Sequence, residues 1–220
     1  MKRANKRFIV GVDEVGYGAW AGPLVVAAAA YPLNMAWPEH LGEENILDSK
    51  RLKTHKRRMS VLPVLEQLCT FSKIVEIPAW LLDRLGAANA LCGAIHMAAY
   101  ACLEELGEAV VLVDGNPARN ADRSFTYITK GDTKSHAIAA ASVMAKVHRD
   151  LLMKELDGEY PGYGFGKHVG YGTPMHKEAL ERLGVCKLHR RSYRPIKEML
   201  DGNQGGENSG ADSGDNGMEG

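Results

Sequence analysis

Residues Phe8–Tyr31 read FIVGVDEVGYGAWAGPLVVAAAAY and fall into three parts. Phe8-Ile9-Val10-Gly11-Val12 is a short β-branched, apolar run, the pattern of a buried strand. Two adjacent acids, Asp13 and Glu14, end it. Glycines at 16, 18 and 22 followed by Pro23 mark a turn, and Leu24–Tyr31 is a second apolar strand. Buried acids are normally paired or bound to a metal, because an isolated buried charge is costly. Neighbouring side chains on a strand point to opposite faces. Asp13 and Glu14 therefore reach one cation only across a bend, or else serve two. The glycine turn permits a bend and, lacking Cβ atoms, lets a backbone come close to a ligand. Taken alone, an Asp-Glu pair is more commonly a solvated strand end, so the remainder of the chain must decide.

Working outward, 220 residues of which 45% are hydrophobic suffice for one core-forming domain, or one domain with an extension. No window of 18 apolar residues occurs, so no membrane span is expected, and the basic start MKRANKR leads into nothing resembling a signal peptide. Cys69, Cys92, Cys102 and Cys186 form no Cys-x-x-Cys pair and read as reduced core residues of a cytoplasmic protein. Residues 201–220 hold five acids and no Lys or Arg; the preceding 200 carry 27 basic against 22 acidic residues, an excess of five. That tail, rich in Gly, Asn, Ser and Asp, is expected to be disordered. The positive body suits a polyanionic partner, although many proteins carry as much charge.

Pro32–Asn45 reads as a surface loop. Six Lys or Arg then fall within residues 50–58, and an apolar stripe at Met59, Leu62, Leu65 and Leu68 predicts a helix with a basic start, which Pro63 should shorten or kink. Thr70–Ile77 reads as a strand, Ala79–Gly86 as a short helix and Ala88–Leu106 as a long helix ended by Gly107. Ala109–Val113 is another apolar strand, and Asp114-Gly115 follows it, repeating the opening pattern of buried strand, carboxylate and glycine. Phe125–Thr129 reads as a strand before Lys130-Gly131-Asp132. Lys134–Leu156 reads as a helix packed through small residues, placing Asp132 near a helix N-terminus. Gly158–Gly172 is a Gly- and Tyr-rich loop, Pro174–Leu183 a helix, and Lys187–Lys197 a second basic cluster. This order predicts an α/β layer fold, a mixed sheet with helices on both faces.

Asp13, Glu14, Asp114 and Asp132 thus lie at or just beyond strand ends or in a turn before a helix. Adjacent strand ends are roughly 5 Å apart, so these acids can converge. Converging carboxylates need a cation, and hard oxygen donors without His or Cys favour Mg2+ or Mn2+. Two such ions about 3.5–4 Å apart suit phosphodiester hydrolysis. A dinucleotide-binding turn is the rival, but Gly22 stands one position late and a strand, not a helix, follows. His96 and His136 read as helix residues rather than ligands; His168 and His176 lie near Tyr171 and could approach a substrate, but packing is the favoured reading for them too. Trp20, Trp37 and Trp80 are too scattered for a stacking platform, and Tyr160 and Tyr163 read as loop packing.

The chain resembles prokaryotic type 2 ribonuclease H, ribonuclease HII, over about residues 8–198. The resemblance rests on ordered motifs: Gly11-Val12-Asp13-Glu14 with its glycine turn, Ala21-Gly22-Pro23-Leu24, Asp48-Ser49-Lys50, Val113-Asp114-Gly115, Lys130-Gly131-Asp132, Ile138–Ser142 with Ala145-Lys146-Val147 and Arg149-Asp150, and Gly170-Tyr171-Gly172-Thr173 with His176. It implies a ribonuclease H-like fold, a five-stranded mixed sheet flanked by helices, with a helical C-terminal extension from about residue 155. A catalytic domain over 1–200 would precede the tail. It also implies an endonuclease that hydrolyses the RNA strand of RNA–DNA hybrids and nicks 5′ of single ribonucleotides in duplex DNA, leaving 3′-hydroxyl and 5′-phosphate ends, as in ribonucleotide excision repair. The metal-binding catalytic acids fall on Asp13, Glu14, Asp114 and Asp132, holding two Mg2+ or Mn2+. Gly16-Tyr17-Gly18 and Tyr171 fall on the positions that read the ribose 2′-hydroxyl, Lys50 and Lys146 on positions suited to phosphate or structural contacts, and Asp150 on a structural one. A monomer is expected. Tyr17 departs from the family's usual arginine and Ala19-Trp20 from its common Pro-Leu, which removes a phosphate contact and predicts either weaker, less salt-sensitive binding or an aromatic contact to a sugar or base in its place. A type 3 enzyme would share the acids but carry an N-terminal domain for which eight residues leave no room. The alternative from another class is a non-catalytic hybrid-binding module, which would not need all four acids.

Overall fold

The computed structural model describes residues 7–38, 46, 47, 52 and 54–204. Five strands form one sheet: β1 (Phe8–Val15), β2 (Leu24–Pro32), β3 (Phe71–Ile77), β4 (Ala109–Asp114) and β5 (Thr126–Ile128). Their spatial order is β3-β2-β1-β4-β5; β2 runs antiparallel to β1 and β3, whereas β4 runs parallel to β1 and β5. The helices are α1 (His55–Leu68), α2 (Ala79–Leu85), α3 (Ala87–Leu106), α4 (His136–Glu159), α5 (Phe165–His168), α6 (Pro174–Leu183) and α7 (Arg194–Gln204).

Strand β2 is apolar without interruption because both of its faces are covered. Leu24, Val26, Ala28 and Ala30 join Val10, Val12, Val111 and Val113 under α3. Val25, Ala27, Ala29 and Tyr31 meet α1 and α4 on the other face. A third, smaller core gathers Ala21, Met153, Phe165, Leu180 and Ile196 where the far end of α4 meets α5, α6 and α7. This sequence of elements is the mixed sheet with flanking helices that the residue pattern predicts.

Four local differences have physical causes. Strand β1 continues through both acids to Val15, because Asp13, Glu14 and Val15 keep pairing with Ala27, Val26 and Val25. Helix α1 runs on through Pro63: one forgone backbone bond is outweighed by Val61 and Leu65, both fully buried against the second core. Helix α5 forms inside the expected loop. Helix α7 occupies the end of the second basic cluster and carries Asp201 and Gly202, so the acidic stretch begins within a helix; residues 205–220, the bulk of the expected tail, lie outside the described residues. Gly86, at φ 78°, separates α2 from α3, which together bend by 112°. Among the described residues no single helix is long and apolar enough to cross a membrane.

Candidate active site

The register of the two central parallel strands builds the site. Val12 pairs with Val113, so Asp13 and Asp114 are the next residues on neighbouring strands. Val12 and Val113 face α3, which turns both acids toward α4. Asp13 is 6% exposed. Its Oδ1 accepts the Glu14 backbone N–H at 2.8 Å, and its Oδ2 stands 4.0 Å from Lys146 Nζ. Burial is the largest cause of a carboxyl pushed up to about 7; Lys146 and a hydrogen bond from Ser142 oppose the rise, and the charges of Glu14 and Asp114 add to it. Glu14 is also raised, first by burial and then by Asp114. Three acids therefore lie within electrostatic reach of one another.

Glu14 points to the opposite face and shares a pocket with Tyr17, Asp114, Asn116, Leu91 and Tyr127. Asp114 Oδ1 accepts the Gly131 N–H at 2.5 Å, which ties the end of β4 to the 3-10 turn Gly131–Thr133 that carries Asp132. Asp132 lines a second pocket with Arg58, Ser142 and Lys146. Asp132 thus shares a pocket with Lys146, which stands beside Asp13, and Asp114 is bonded to the turn that carries Asp132. Among the described residues no three His, Cys, Asp or Glu side chains form a closed set of metal ligands. Like-charged carboxylates repel, and one oxygen of Asp114 is turned onto Gly131. Bringing three of these groups onto one cation takes rotations about their side-chain bonds.

Lys146 donates to Ser142 Oγ, one helical turn earlier on α4, and so stands as the cation beside Asp13. Lys50 lies outside the described residues, as do Asp48 and Ser49. From the first basic run, Arg58 Nη2 donates to Asp150 Oδ2 at 2.7 Å and His55 Nδ1 lies 3.2 Å from the same oxygen, joining α1 to α4. Asp150 is thus a link between helices.

The glycine turn is fixed from beneath by two arginines that are fully buried. Arg149 donates to the carbonyls of Pro23 (2.9 Å), Val169 (2.8 Å) and Ala21 (3.2 Å). Arg190 donates to Gly22 O (3.1 Å) and Tyr17 O (2.9 Å), and Tyr193 Oη donates to Tyr17 O at 2.6 Å. A Cβ on Gly16, whose φ is 86°, would lie 2.3 Å from Arg149 Nε, so glycine is required there. Gly170 O accepts from the backbone amides of Trp20 and Ala21 at 2.8 and 3.2 Å. The Gly16–Gly18 turn and Tyr171 are consequently held side by side, and the Tyr171 ring centroid is 5.7 Å from the Arg149 guanidinium. The Tyr17 side chain is exposed at the mouth of the pocket that holds Glu14 and Asp114.

Ser142 and Arg149 stand in the quoted motifs, and Arg190 and Tyr193 in the second basic cluster, but none of the four was given a role at the site. Ser142, four residues before Lys146, carried a usable helical spacing; the arginines carried none. His168 and His176 are buried at 7% and 0% exposure, which agrees with the favoured reading of them as packing residues rather than substrate contacts. His96 accepts the Asp122 N–H at 3.2 Å, and His136 stacks on Trp37 at 5.0 Å. Tyr163 packs on Phe165 and donates to Gly184 O at 2.9 Å. All four cysteines are free thiols.

A five-stranded mixed sheet in this order, flanked by helices and bearing carboxylates at the ends of its two central parallel strands, defines a ribonuclease H-like protein. A family model described as Ribonuclease HII matches residues 10–196. Ribonuclease HII of Nocardia farcinica is 40% identical over 192 residues, covering 87% of this chain and 74% of the relative. That of Synechococcus sp. (strain CC9902) is 42% identical over 188 residues, covering 84% and 91%. The crystal structure of ribonuclease H2 from Pyrococcus horikoshii OT3 superposes with a TM-score of 0.72 at 24% identity, covering 90% of this chain and 99% of that one. The chain belongs to the ribonuclease HII family. It is an endoribonuclease, which sets aside the non-catalytic alternative.

Proposed function

We propose that the protein hydrolyses the RNA strand of RNA–DNA hybrids and nicks duplex DNA 5′ of an embedded ribonucleotide, leaving a 3′-hydroxyl and a 5′-phosphate. The observation that carries this is the juxtaposition of Asp13 and Asp114 on neighbouring strand ends, with Glu14 beside them and Asp132 on the turn bonded to Asp114. The donor set fits hard divalent cations: every candidate ligand is a carboxylate, and the buried Asp13 group gains most from positive charge. Asp13, Glu14, Asp114 and Asp132 would hold two Mg2+ or Mn2+. Such ions supply the charge that activates the scissile phosphodiester and stabilises its leaving oxygen.

The remaining roles belong to this chain's own groups. Lys146, positioned by Ser142, opposes the rise that burial imposes on the Asp13 carboxyl and presents a cation at the edge of the cleft. Lys50 serves as a phosphate contact. The backbone of Gly16-Tyr17-Gly18 and the Tyr171 side chain read the 2′-hydroxyl, the group that distinguishes RNA from DNA at a given position. The exposed Tyr17 ring contacts a sugar or base where an arginine would contact a phosphate. Restoring that arginine is expected to tighten binding and to steepen the dependence of log K on log [salt] by about 0.9, the increment for one duplex phosphate. Binding measured between 50 and 200 mM salt checks this for Tyr17→Arg, and an unchanged slope counts against the substitution of roles.

The deciding assay uses two duplexes, one with a single ribonucleotide and one a continuous hybrid, each with Mg2+, Mn2+ or a chelator. Metal-dependent nicking 5′ of the lone ribonucleotide is expected, with nearly complete loss in Asp114→Asn. Asparagine keeps an oxygen for the Gly131 N–H, so this variant should remain folded. Failure to cut either duplex with both metals, or an active Asp114→Asn, overturns the proposal.

A further inference from the structure

Two further histidine-bearing segments meet beneath Tyr171, and their proton positions follow from neighbours that have only one role. The Cys186 backbone N–H donates to His189 Nδ1 at 3.0 Å. An amide can only donate, so that nitrogen bears no proton. Neutral His189 then carries its proton on Nε2, which faces His176 Nε2 at 3.0 Å. His176 Nε2 must accept, which leaves its proton on Nδ1, 3.0 Å from the Tyr171 carbonyl, a pure acceptor. Each link in the chain from Cys186 to Tyr171 has a single possible sense. Protonating either ring sets N–H against N–H, and burial accordingly pushes both imidazoles down to about 4.

A parallel arrangement lies alongside. His168 stacks on His176 at 4.4 Å, accepts the Gly170 N–H on Nδ1 at 3.2 Å and donates from Nε2 to Tyr163 O at 2.9 Å. Gly170 and Tyr171 are thus gripped by two stacked neutral rings, one through an N–H and the next through a C=O. The Gly170 carbonyl in turn receives the amides of the glycine turn.

We propose that His176 and His189 are positioning residues that set Tyr171 against the glycine turn for substrate, acting through this one-way hydrogen-bond chain. The proposal rests on the assignment of Tyr171 to the ribose. Neither ring can touch a substrate itself, since His176 is 0% and His189 2% exposed. Their effect must pass through the loop they hold, and should fall on substrate binding rather than on the chemical step.

Two measurements test it. Long-range 15N–1H correlation spectra of the unaltered protein should show His189 protonated on Nε2 and His176 on Nδ1; the opposite tautomer in either ring overturns the chain. Kinetics on the single-ribonucleotide duplex should then show His176→Ala raising KM about tenfold, the cost of one lost buried hydrogen bond, with little change in kcat. His176→Asn, whose side-chain N–H occupies the place of Nδ1–H, should recover most of that loss. A double-mutant cycle with Tyr171→Ala should be non-additive, the double variant being no worse than Tyr171→Ala alone. An additive cycle overturns the positioning role while leaving the ribose assignment intact. A Tyr171→Ala variant with unchanged KM removes the ribose assignment, and the proposal falls with it. If His176→Ala fails to fold, the tautomers and His176→Asn still decide.

Discussion

Asp13→Asn is expected to lose turnover by on the order of 10^3-fold or more, the scale of several kcal/mol of lost charge stabilisation at a metal-dependent centre, and yet to be more stable than the parent when a chelator is present. Both effects follow from one buried carboxyl. Its ordinary value of 3.8 is pushed up to about 7, chiefly by burial. Between those values the folded chain keeps a proton that the unfolded chain releases. Stability is therefore fully present below about pH 4 and falls as pH rises through about 7. Asparagine has no proton to lose and keeps the oxygen that accepts the Glu14 N–H. The unfolding midpoints of the two proteins should coincide at about pH 3.5 and draw apart as pH rises, by about 5–15 °C at pH 8, corresponding to about 2–4 kcal/mol. Adding Mg2+ should raise the parent's midpoint and leave that of Asp13→Asn nearly unchanged, since only a ligand bound to the folded state stabilises it. An active variant removes Asp13 from the centre. A variant no more stable than the parent at pH 8 shows that burial is not what raises the carboxyl.

Such a group was legible because a buried strand running into acids is an anomaly that a sequence displays openly. Asp114 repeats the anomaly, and the pairing of Val12 with Val113 turns the repetition into proximity. The sheet was legible for a related reason: strands covered on both faces, as β2 is, are continuous apolar runs. The end of β1 was not, because Asp13 and Glu14 break the apolar pattern while their backbones keep pairing. Helix α5, four residues long and entered from Gly164, is too short to show any period. In α7 the positive charges of Lys187–Lys197 hid the apolar contacts of Ile196, Met199 and Leu200. Arg149 and Arg190 were the least legible. Charge reads as surface, and among the described residues their hydrogen-bond partners are backbone carbonyls and one tyrosine hydroxyl, which no side-chain spacing announces. The histidines were legible as packing residues, but not as partners of the Gly170–Tyr171 backbone, which His168 and His176 hold from the buried side.

Gly11→Ala should have the largest effect on folding of any single methyl added to the chain's described core. A Cβ at Gly11 would lie 2.0 Å from the Ala137 carbonyl carbon and 2.3 Å from the Ile138 nitrogen, all of it backbone. No rotamer change relieves that overlap; α4 must move off β1. Overpacking commonly costs about 1–3 kcal/mol where side chains can yield, and here none can, so a loss beyond about 4 kcal/mol is expected. Against a total of about 5–15 kcal/mol, thermal unfolding should become non-cooperative or shift down by more than about 10 °C. The Ala137–Ala141 run is the other half of the same fit: small residues on the helix and a glycine on the strand permit one close approach. Gly93→Ala is the matching control, because Gly93 lies within α3 and a methyl added there would meet nothing within 4 Å; it should gain about 0.5–1 kcal/mol from better helix propensity. The site depends on the same contact, since α4 carries Ser142 and Lys146 to Asp13. A Gly11→Ala protein that folds by displacing α4 should therefore lose the Lys146 charge beside Asp13, and its activity should fall with its stability. A variant as stable and active as the parent would show that the helix does not sit this close to the strand.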